Sequence, residues 1–358
     1  MVYAVIMAGG IGSRFWPQSR KGNPKQFLRV FDELTLIQNT VGRLQGIVPS
    51  ERIFIVTHER YVEQTRDQLP AVPEENILAE PIARNTAPCI TFAAIRLLAD
   101  DPDATMIVLP ADHVIRNVGR FHAVLRAAIE KAQEHDTLVT IGINPTHPET
   151  GYGYIQFDGQ VDEGEEGPRA FAVKTFAEKP DLATAERFLD SGDFLWNSGM
   201  FVWRADTILE KIRLHLPQAY DAFEPLCEAV GTEREEEAVA EAYSKSPHIS
   251  IDYGVMERAQ PVFVVPASFG WSDIGDWRAV YELGDKDEHG NALDGNVIVH
   301  DSSRCLVESD DRLVVLVGMH DTVVVDTRDA LLVCNRESAQ QVKNVVDYLH
   351  AHQLDEYV

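Results

Sequence analysis

The chain has 358 residues, 45% hydrophobic and 25% charged, enough apolar material for the core of one large domain or two. Its net charge of −25 excludes a broad basic surface, and with it nonspecific binding to nucleic acid or to an anionic membrane. Four scattered cysteines without C-x-x-C spacing argue against a zinc site or disulfide framework, and no apolar run spans a membrane, so a cytoplasmic protein with buried, reduced thiols is expected.

Val2–Met7 reads as a strand that runs into Ala8-Gly9-Gly10-Ile11-Gly12-Ser13-Arg14. Five cations (Arg14, Arg20, Lys21, Lys25 and Arg29) precede the first acid, Asp32. Glycines let backbone N–H groups close on an anion, and the cations attract it from a distance, so this opening predicts a phosphate site. It is neither of two common kinds. From Gly10 the order Gly-Ile-Gly-Ser-Arg-Phe lacks the third glycine of a dinucleotide fingerprint, and the chain has no Walker-type Gly-Lys-Ser/Thr.

Further strands are predicted at Arg52–Thr57, Thr105–Leu109 and Thr137–Ile141, with helices at Thr35–Leu44, Asn85–Ala99 and Phe121–Glu134. Strand–helix alternation implies a mostly parallel sheet covered on both faces, whose ligands sit beyond the carboxyl ends of the strands. The glycine loop and Asp112 both fall there. Next come strands at Tyr152–Phe157, Ala170–Phe176 and Trp196–Trp203, a helix at Asp181–Leu189, and a mostly helical stretch from Ala205 to about Tyr243. The acidic runs Asp162–Glu166 and Glu233–Glu237 read as solvated loops or helix faces. After Gly290, apolar runs begin at Asn296, Cys305, Leu313, Thr322 and Ala330, at alternating steps of 9 and 8 residues. That rhythm fits a small stacked β coil, with an antiparallel meander as the alternative. The chain closes on a capping box, Ser338-x-x-Gln341, ahead of a helical face of Val342, Val345, Val346 and Leu349.

Met7 to Pro17, with Pro24-Lys25-Gln26-Phe27, resembles the signature of sugar-1-phosphate nucleotidyltransferases, and Phe15-Trp16-Pro17 and Lys25-Gln26-Phe27 resemble their mannose-1-phosphate guanylyltransferase branch. Glu80-Pro81 with Arg84–Pro88, Leu109–His113, Gly151–Ile155, Phe176–Pro180, Trp196–Phe201 and Gly270–Trp277 extend the match in order. The resemblance implies an α/β fold: a Rossmann-like, mixed and mostly parallel sheet in a catalytic domain over residues 1–285, then a β-helix-like module with a terminal helix over 286–358.

In-line attack of a sugar phosphate on the α-phosphorus of a nucleoside triphosphate needs charge neutralisation more than covalent help. By resemblance, Ala8, Gly9, Gly10, Gly12, Ser13 and Arg14 cradle the triphosphate of GTP, while Arg14 and Lys25 neutralise charge during attack. Asp112 and Asp273 are the implied Mg²⁺ ligands, with phosphate oxygens and water completing the octahedron. His113, next to Asp112, is expected to support that site or to serve the structure alone, not to ligate the metal. Lys179 is implied to hold the phosphate of mannose 1-phosphate and Glu178 its hydroxyls, with Gly151, Asn197 and Asp252 completing that pocket. Glu80, Arg84, Asn85 and Thr86 are the base candidates; Asn85 serves equally as a helix cap. The expected reaction is GTP plus mannose 1-phosphate giving GDP-mannose and pyrophosphate. Its rivals are another base or hexose phosphate, a silent homologue that only binds nucleotide sugar, and an isomerase. Too few residues follow Trp277 for an added isomerase domain, and the exposed strand edges of the coil favour a homodimer.

Overall fold

A computed structural model describes residues 1–159 and 167–358; the acidic run at 162–166 lies outside them. The chain forms two compact units: Met1–Gly9, Val41–Ala111 and Ile115–Trp271 make the first, and Gly10–Thr40, Asp112–Val114 and Ser272–Val358 the second. This division runs across a single cut at 285, because the segment after the glycine loop shares a core with the C-terminal module. Phe15, Trp16, Leu28 and Leu36 pack in one cluster with Trp277, Leu306, Val323, Val325 and Val346.

The first unit is built on a nine-stranded sheet. Its strands are β1 (Val2–Ala8), β2 (Ile53–His58), β3 (Ile77–Glu80), β4 (Thr105–Pro110), β5 (Leu138–Ile143), β6 (Tyr154–Phe157), β7 (Phe171–Ala177), β8 (Phe194–Arg204) and β9 (Val262–Ala267). They lie in the order β3-β2-β1-β4-β8-β5-β9-β7-β6, with β6 also paired to β8. β7 and β8 run against the other seven, so the sheet is mixed and mostly parallel, as the alternation predicted. β1 is buried on both faces, the usual state of a parallel central strand. Helix α1 (Thr86–Asp100) tolerates Pro88 because a first-turn residue needs no intrahelical donor, and the Asn85 side chain accepts from Thr86 N–H at its start. Helix α2 (Val118–Ala132) is capped in the same way by Asn117. Two strands were not expected. β3 is only four residues long, and β9 carries Pro266 near its end, which reads as a break in sequence.

In the second unit the C-terminal strands are β10 (Ala292–Asp294), β11 (Val297–His300), β12 (Leu306–Ser309), β13 (Val314–Val317), β14 (Thr322–Asp326) and β15 (Leu331–Asn335). Strands two apart stack in parallel, Val297 on Val314 and Leu306 on Val323, which is one 9-residue plus one 8-residue step. The coil is therefore real, but its last pair, β14 with β15, is an antiparallel hairpin that ends the stack. The predicted capping box does not form. Arg336–Gln341 is a 3₁₀ turn capped by Asn335, and the terminal helix α3 (Val342–Ala351) follows it with Val342 and Val346 inward and Val345 exposed. The four cysteines are unpaired; Cys89 and Cys305 are buried as expected, Cys334 is half-buried, and Cys227 is exposed. Among the described residues no helix is long and apolar enough to cross a membrane.

Candidate active site

In the second unit the geometry centres on Lys25. Pro24 ends the loop, and a 3₁₀ turn over Lys25–Phe27 buries the lysine stem to 6% exposure. Its backbone N–H donates to the Ile11 carbonyl (3.0 Å), which joins the turn to the glycine loop. Gly12 lies against that stem with φ of 75°, in the left-handed region, and any Cβ there would overlap the Lys25 Cβ. The Lys25 Nζ is 2.8 Å from the Asp112 carboxylate and donates to the Asp273 carbonyl at 2.6 Å. Burial alone would raise the Asp112 pKa, but the Lys25 ammonium and then His113 outweigh it, so the carboxyl is held below its ordinary value and stays ionised. Asp273 sits in a constrained turn. Ile274, fully buried, takes φ of 44°, a conformation rare for a β-branched residue, and its N–H donates to Ser272 Oγ. The structure thus brings Gly12 and Lys25 of the opening segment together with Asp112 and Asp273 from two distant places in the sequence. Ser13 and Arg14 lie in the 3₁₀ turn that follows Gly12, and Gly10 is exposed with open space around it. Arg14 is also exposed; its charge helps to offset the burial that raises the pKa of Asp276, the cap of the helix at Trp277–Leu283.

The Asp112 carboxylate beside the Lys25 ammonium, with Asp273 brought to the same lysine by its backbone carbonyl, suits a hard divalent cation that takes one or two protein ligands. Among the described residues no group of three or more His, Cys, Asp or Glu side chains converges, so such an ion would depend on phosphate oxygens and water for the rest of its shell.

In the first unit Ala8 ends β1 and Glu80 ends β3, at the carboxyl edge of the sheet. A Cβ on Gly9 would come within 3.0 Å of Glu80 Oε2. The Tyr243 hydroxyl donates to Glu80 Oε1 at 2.9 Å; burial raises the Glu80 pKa to about 7, and that hydrogen bond only partly opposes it. Arg84 donates to the carbonyls of Tyr243 and Ser244, and Thr86 Oγ1 accepts from Ile251 N–H. These two therefore hold the segment that carries Tyr243 in place. Asn85 caps α1 while remaining exposed.

The sugar candidates form a second cluster of this unit. Asn197 Nδ2 donates to Asp252 Oδ1 at 2.7 Å, and Lys179 Nζ is 3.1 Å from Glu178 Oε1. Glu178 Oε2 is buried without a hydrogen-bond partner among the described residues. Burial, and next the negative charge of Glu178, raises the Asp252 pKa to about 6. Asp252 opens a π-helical turn, Asp252–Met256, and Lys179 takes φ of 49° with its side chain mostly in solvent. Gly151 is exposed and its N–H donates to Glu149. The glycine packed on this cluster is Gly153, whose missing Cβ makes room for Glu178 Oε2 and whose carbonyl accepts from Asn197 N–H.

Residues 3–290 match the model of the nucleotidyl transferase family, and residues 295–349 match that of the MannoseP isomerase/GMP-like beta-helix domain. A mannose-1-phosphate guanylyltransferase of Klebsiella pneumoniae is 42% identical over all of this chain and 76% of its own length. That of Escherichia coli K12 is 43% identical over 98% of this chain and 74% of its own. The chain belongs to the mannose-1-phosphate guanylyltransferase family. A crystal structure described as a mannose-1-phosphate geranyltransferase of Thermus thermophilus superposes with a TM-score of 0.87 at 34% identity, covering 98% of this chain and 99% of the other. Within this guanylyltransferase framework, sequence reasoning missed two residues. Tyr243 has no local signal, since its partner Glu80 is 163 residues away. Gly153 had one: it stands beside Gly151 in Gly-Tyr-Gly, and only the packing tells the two apart.

Proposed function

We infer that this chain transfers GMP from GTP to mannose 1-phosphate, releasing pyrophosphate. The observation that carries this is similarity, over nearly the whole of this chain and about three quarters of theirs, to mannose-1-phosphate guanylyltransferases, joined to a Lys25–Asp112–Asp273 cluster beside a glycine loop. An oxygen of the mannose phosphate forms a bond to the α-phosphorus, and the bond from that phosphorus to the bridging oxygen of the β-phosphate breaks. Gly10, Gly12 and Ser13 present the loop to the triphosphate, and Arg14 with Lys25 balances the charge that grows at the α-phosphorus. Lys179 holds the sugar phosphate; Glu178, Asn197 and Asp252 accept from and donate to its hydroxyls. Glu80 accepts from the guanine edge, whose paired N–H donors adenine lacks. Asp112 and Asp273 would hold Mg²⁺, which when bound neutralises phosphate charge and makes pyrophosphate a better leaving group.

The protein acts as a homodimer through its coil. Ile298, Val315, Val317, Leu331 and Val333 all stand 51% or more exposed on β11, β13 and β15, an apolar face that a second copy would cover. Sedimentation should find twice the 40.0 kDa chain mass; a monomer at micromolar concentration would refute the dimer. Pyrophosphate release from GTP that depends on mannose 1-phosphate tests the activity itself.

A further inference from the structure

The segment just after the nucleotide loop is gripped at four positions by the C-terminal module, all within the second unit. Trp16 Nε1 donates to the Tyr357 carbonyl at 2.6 Å, and the Trp16 carbonyl accepts from Trp277 Nε1 at 3.1 Å. The Gln18 side chain hydrogen-bonds to Glu308 on β12. Arg20 lays its guanidinium over the Trp16 ring and makes a two-point fork with the Asp329 carboxylate, at 2.9 and 3.3 Å. Lys21 pairs with Asp355 at 3.3 Å. Three of the five cations of the basic opening remain once Arg20 and Lys21 are assigned to this grip.

The gripped segment is wired to the loop itself. Ser19, buried between these anchors, donates its hydroxyl to the Ile11 carbonyl at 2.5 Å, the same carbonyl that accepts from Lys25 N–H. The Ser19 N–H donates to Phe15, and Phe15 N–H to Gly12. Any shift of residues 16–21 is therefore delivered to Ile11 and Gly12, against which the Lys25 stem is packed. A phosphate cradle works only if its donors are held in place before the substrate arrives.

We propose that Asp329, Asp355 and the Tyr357 carbonyl are positioning residues for the nucleotide loop, so that the C-terminal module acts on GTP binding and not only on assembly. None of them touches substrate; they act through Trp16, Arg20 and Lys21. The inference rests on assigning the loop to the triphosphate. It predicts a split between the two substrates. Asp329→Asn, Trp16→Phe and removal of residues 355–358 should each raise the KM for GTP about tenfold or more. The KM for mannose 1-phosphate should stay within about twofold, since the sugar candidates lie in other segments.

The test measures both KM values and the urea midpoint for these three variants, with Arg14→Ala alongside. Asp329 is half-exposed, so Asp329→Asn keeps the test valid if the truncated chain folds poorly. Exchanging the charges, Arg20→Asp with Asp329→Arg, should recover part of the GTP affinity that either change alone removes. Equal loss for both substrates, or a lower urea midpoint with both KM values unchanged, would reduce the contacts to ordinary packing and overturn the proposal. If Arg14→Ala weakens GTP while Asp329→Asn and Trp16→Phe do not, the loop assignment stands and the positioning role fails. A silent Arg14→Ala would overturn the loop assignment and the positioning role with it.

Discussion

Gly12→Ala should damage both the fold and the reaction, and the structure says by how much. The residue would have to hold φ of 75°, which costs an L-residue about 1–2 kcal/mol. Its methyl would overlap the Lys25 Cβ and crowd Cγ and Cδ at 3.2 and 3.3 Å. Overpacking of that kind costs about 1–3 kcal/mol, because the stem is enclosed and cannot swing into solvent. Together these predict a loss of about 2–5 kcal/mol, shared between a lower unfolding free energy and a displaced Lys25. A shift of about 1 Å in the ammonium, away from the Asp112 carboxylate and the Asp273 carbonyl, should lower kcat on the order of 100-fold. Gly10→Ala is the control: its methyl meets nothing within 4 Å, so stability should hold within about 0.5 kcal/mol while GTP binds less well. Urea unfolding followed by circular dichroism, with pyrophosphate release under steady state, reads both effects. A Gly12→Ala enzyme with normal stability and kcat would refute the packing of the loop against Lys25.

Asp112→Asn and Asp273→Asn should each remove most turnover with the fold intact, a loss of several kcal/mol of transition-state stabilisation on the order expected for a metal-bound charge; near-normal rates at saturating Mg²⁺ would reject that residue as a ligand. Lys179→Ala should mainly raise the KM for mannose 1-phosphate, whereas Lys25→Ala should mainly lower kcat, and it should also let the Asp112 carboxyl pKa rise by removing its cation; a Lys179→Ala defect confined to GTP would contradict the sugar assignment. Glu308, its pKa raised from 4.5 to about 8 by burial and then by Asp294 and Asp310, stays protonated in the folded state where the unfolded chain has already released the proton. Stability contributed by this group is full below the unfolded value and falls as pH climbs toward 8, so Glu308→Gln should gain on the parent between pH 5 and pH 8.5. The gain should be about 2 kcal/mol, roughly half the unscreened linkage value, because the residue is only partly enclosed; a difference independent of pH would contradict the shift.

The strands of the first half are visible in sequence because each is an apolar run ended by turn residues, and α1 is marked at its start by Asn85 and Pro88. β3 and β9 are not, one for shortness and the other for its proline; their places come from neighbours, Ile55 beside Ile77 and Gly142 beside Pro266. The coil was visible as a rhythm of 9 and 8 residues, but its antiparallel end leaves no mark on that rhythm. Within the site, Lys25, Asp112 and Asp273 are separated by long stretches of chain, and no periodicity joins them. Only their resemblance to a family pattern did so in advance; the Lys25 ammonium, paired with the Asp112 carboxylate and donating to the Asp273 backbone carbonyl, is the contact that draws the three segments together. The bonds of Arg84 and Thr86 to residues 243–251 were invisible for the same cause, since tertiary partners leave no local signal.

Substrate choice is the most direct test of the central claim. Pyrophosphate release should be measured for each of GTP, ATP, UTP and dTTP against mannose 1-phosphate, glucose 1-phosphate and galactose 1-phosphate, with Mg²⁺ present. The account predicts the highest kcat/KM for GTP with mannose 1-phosphate, and GDP-mannose as the product. A clear preference for another base or sugar phosphate, or binding of GTP without pyrophosphate release for any pair, would contradict it.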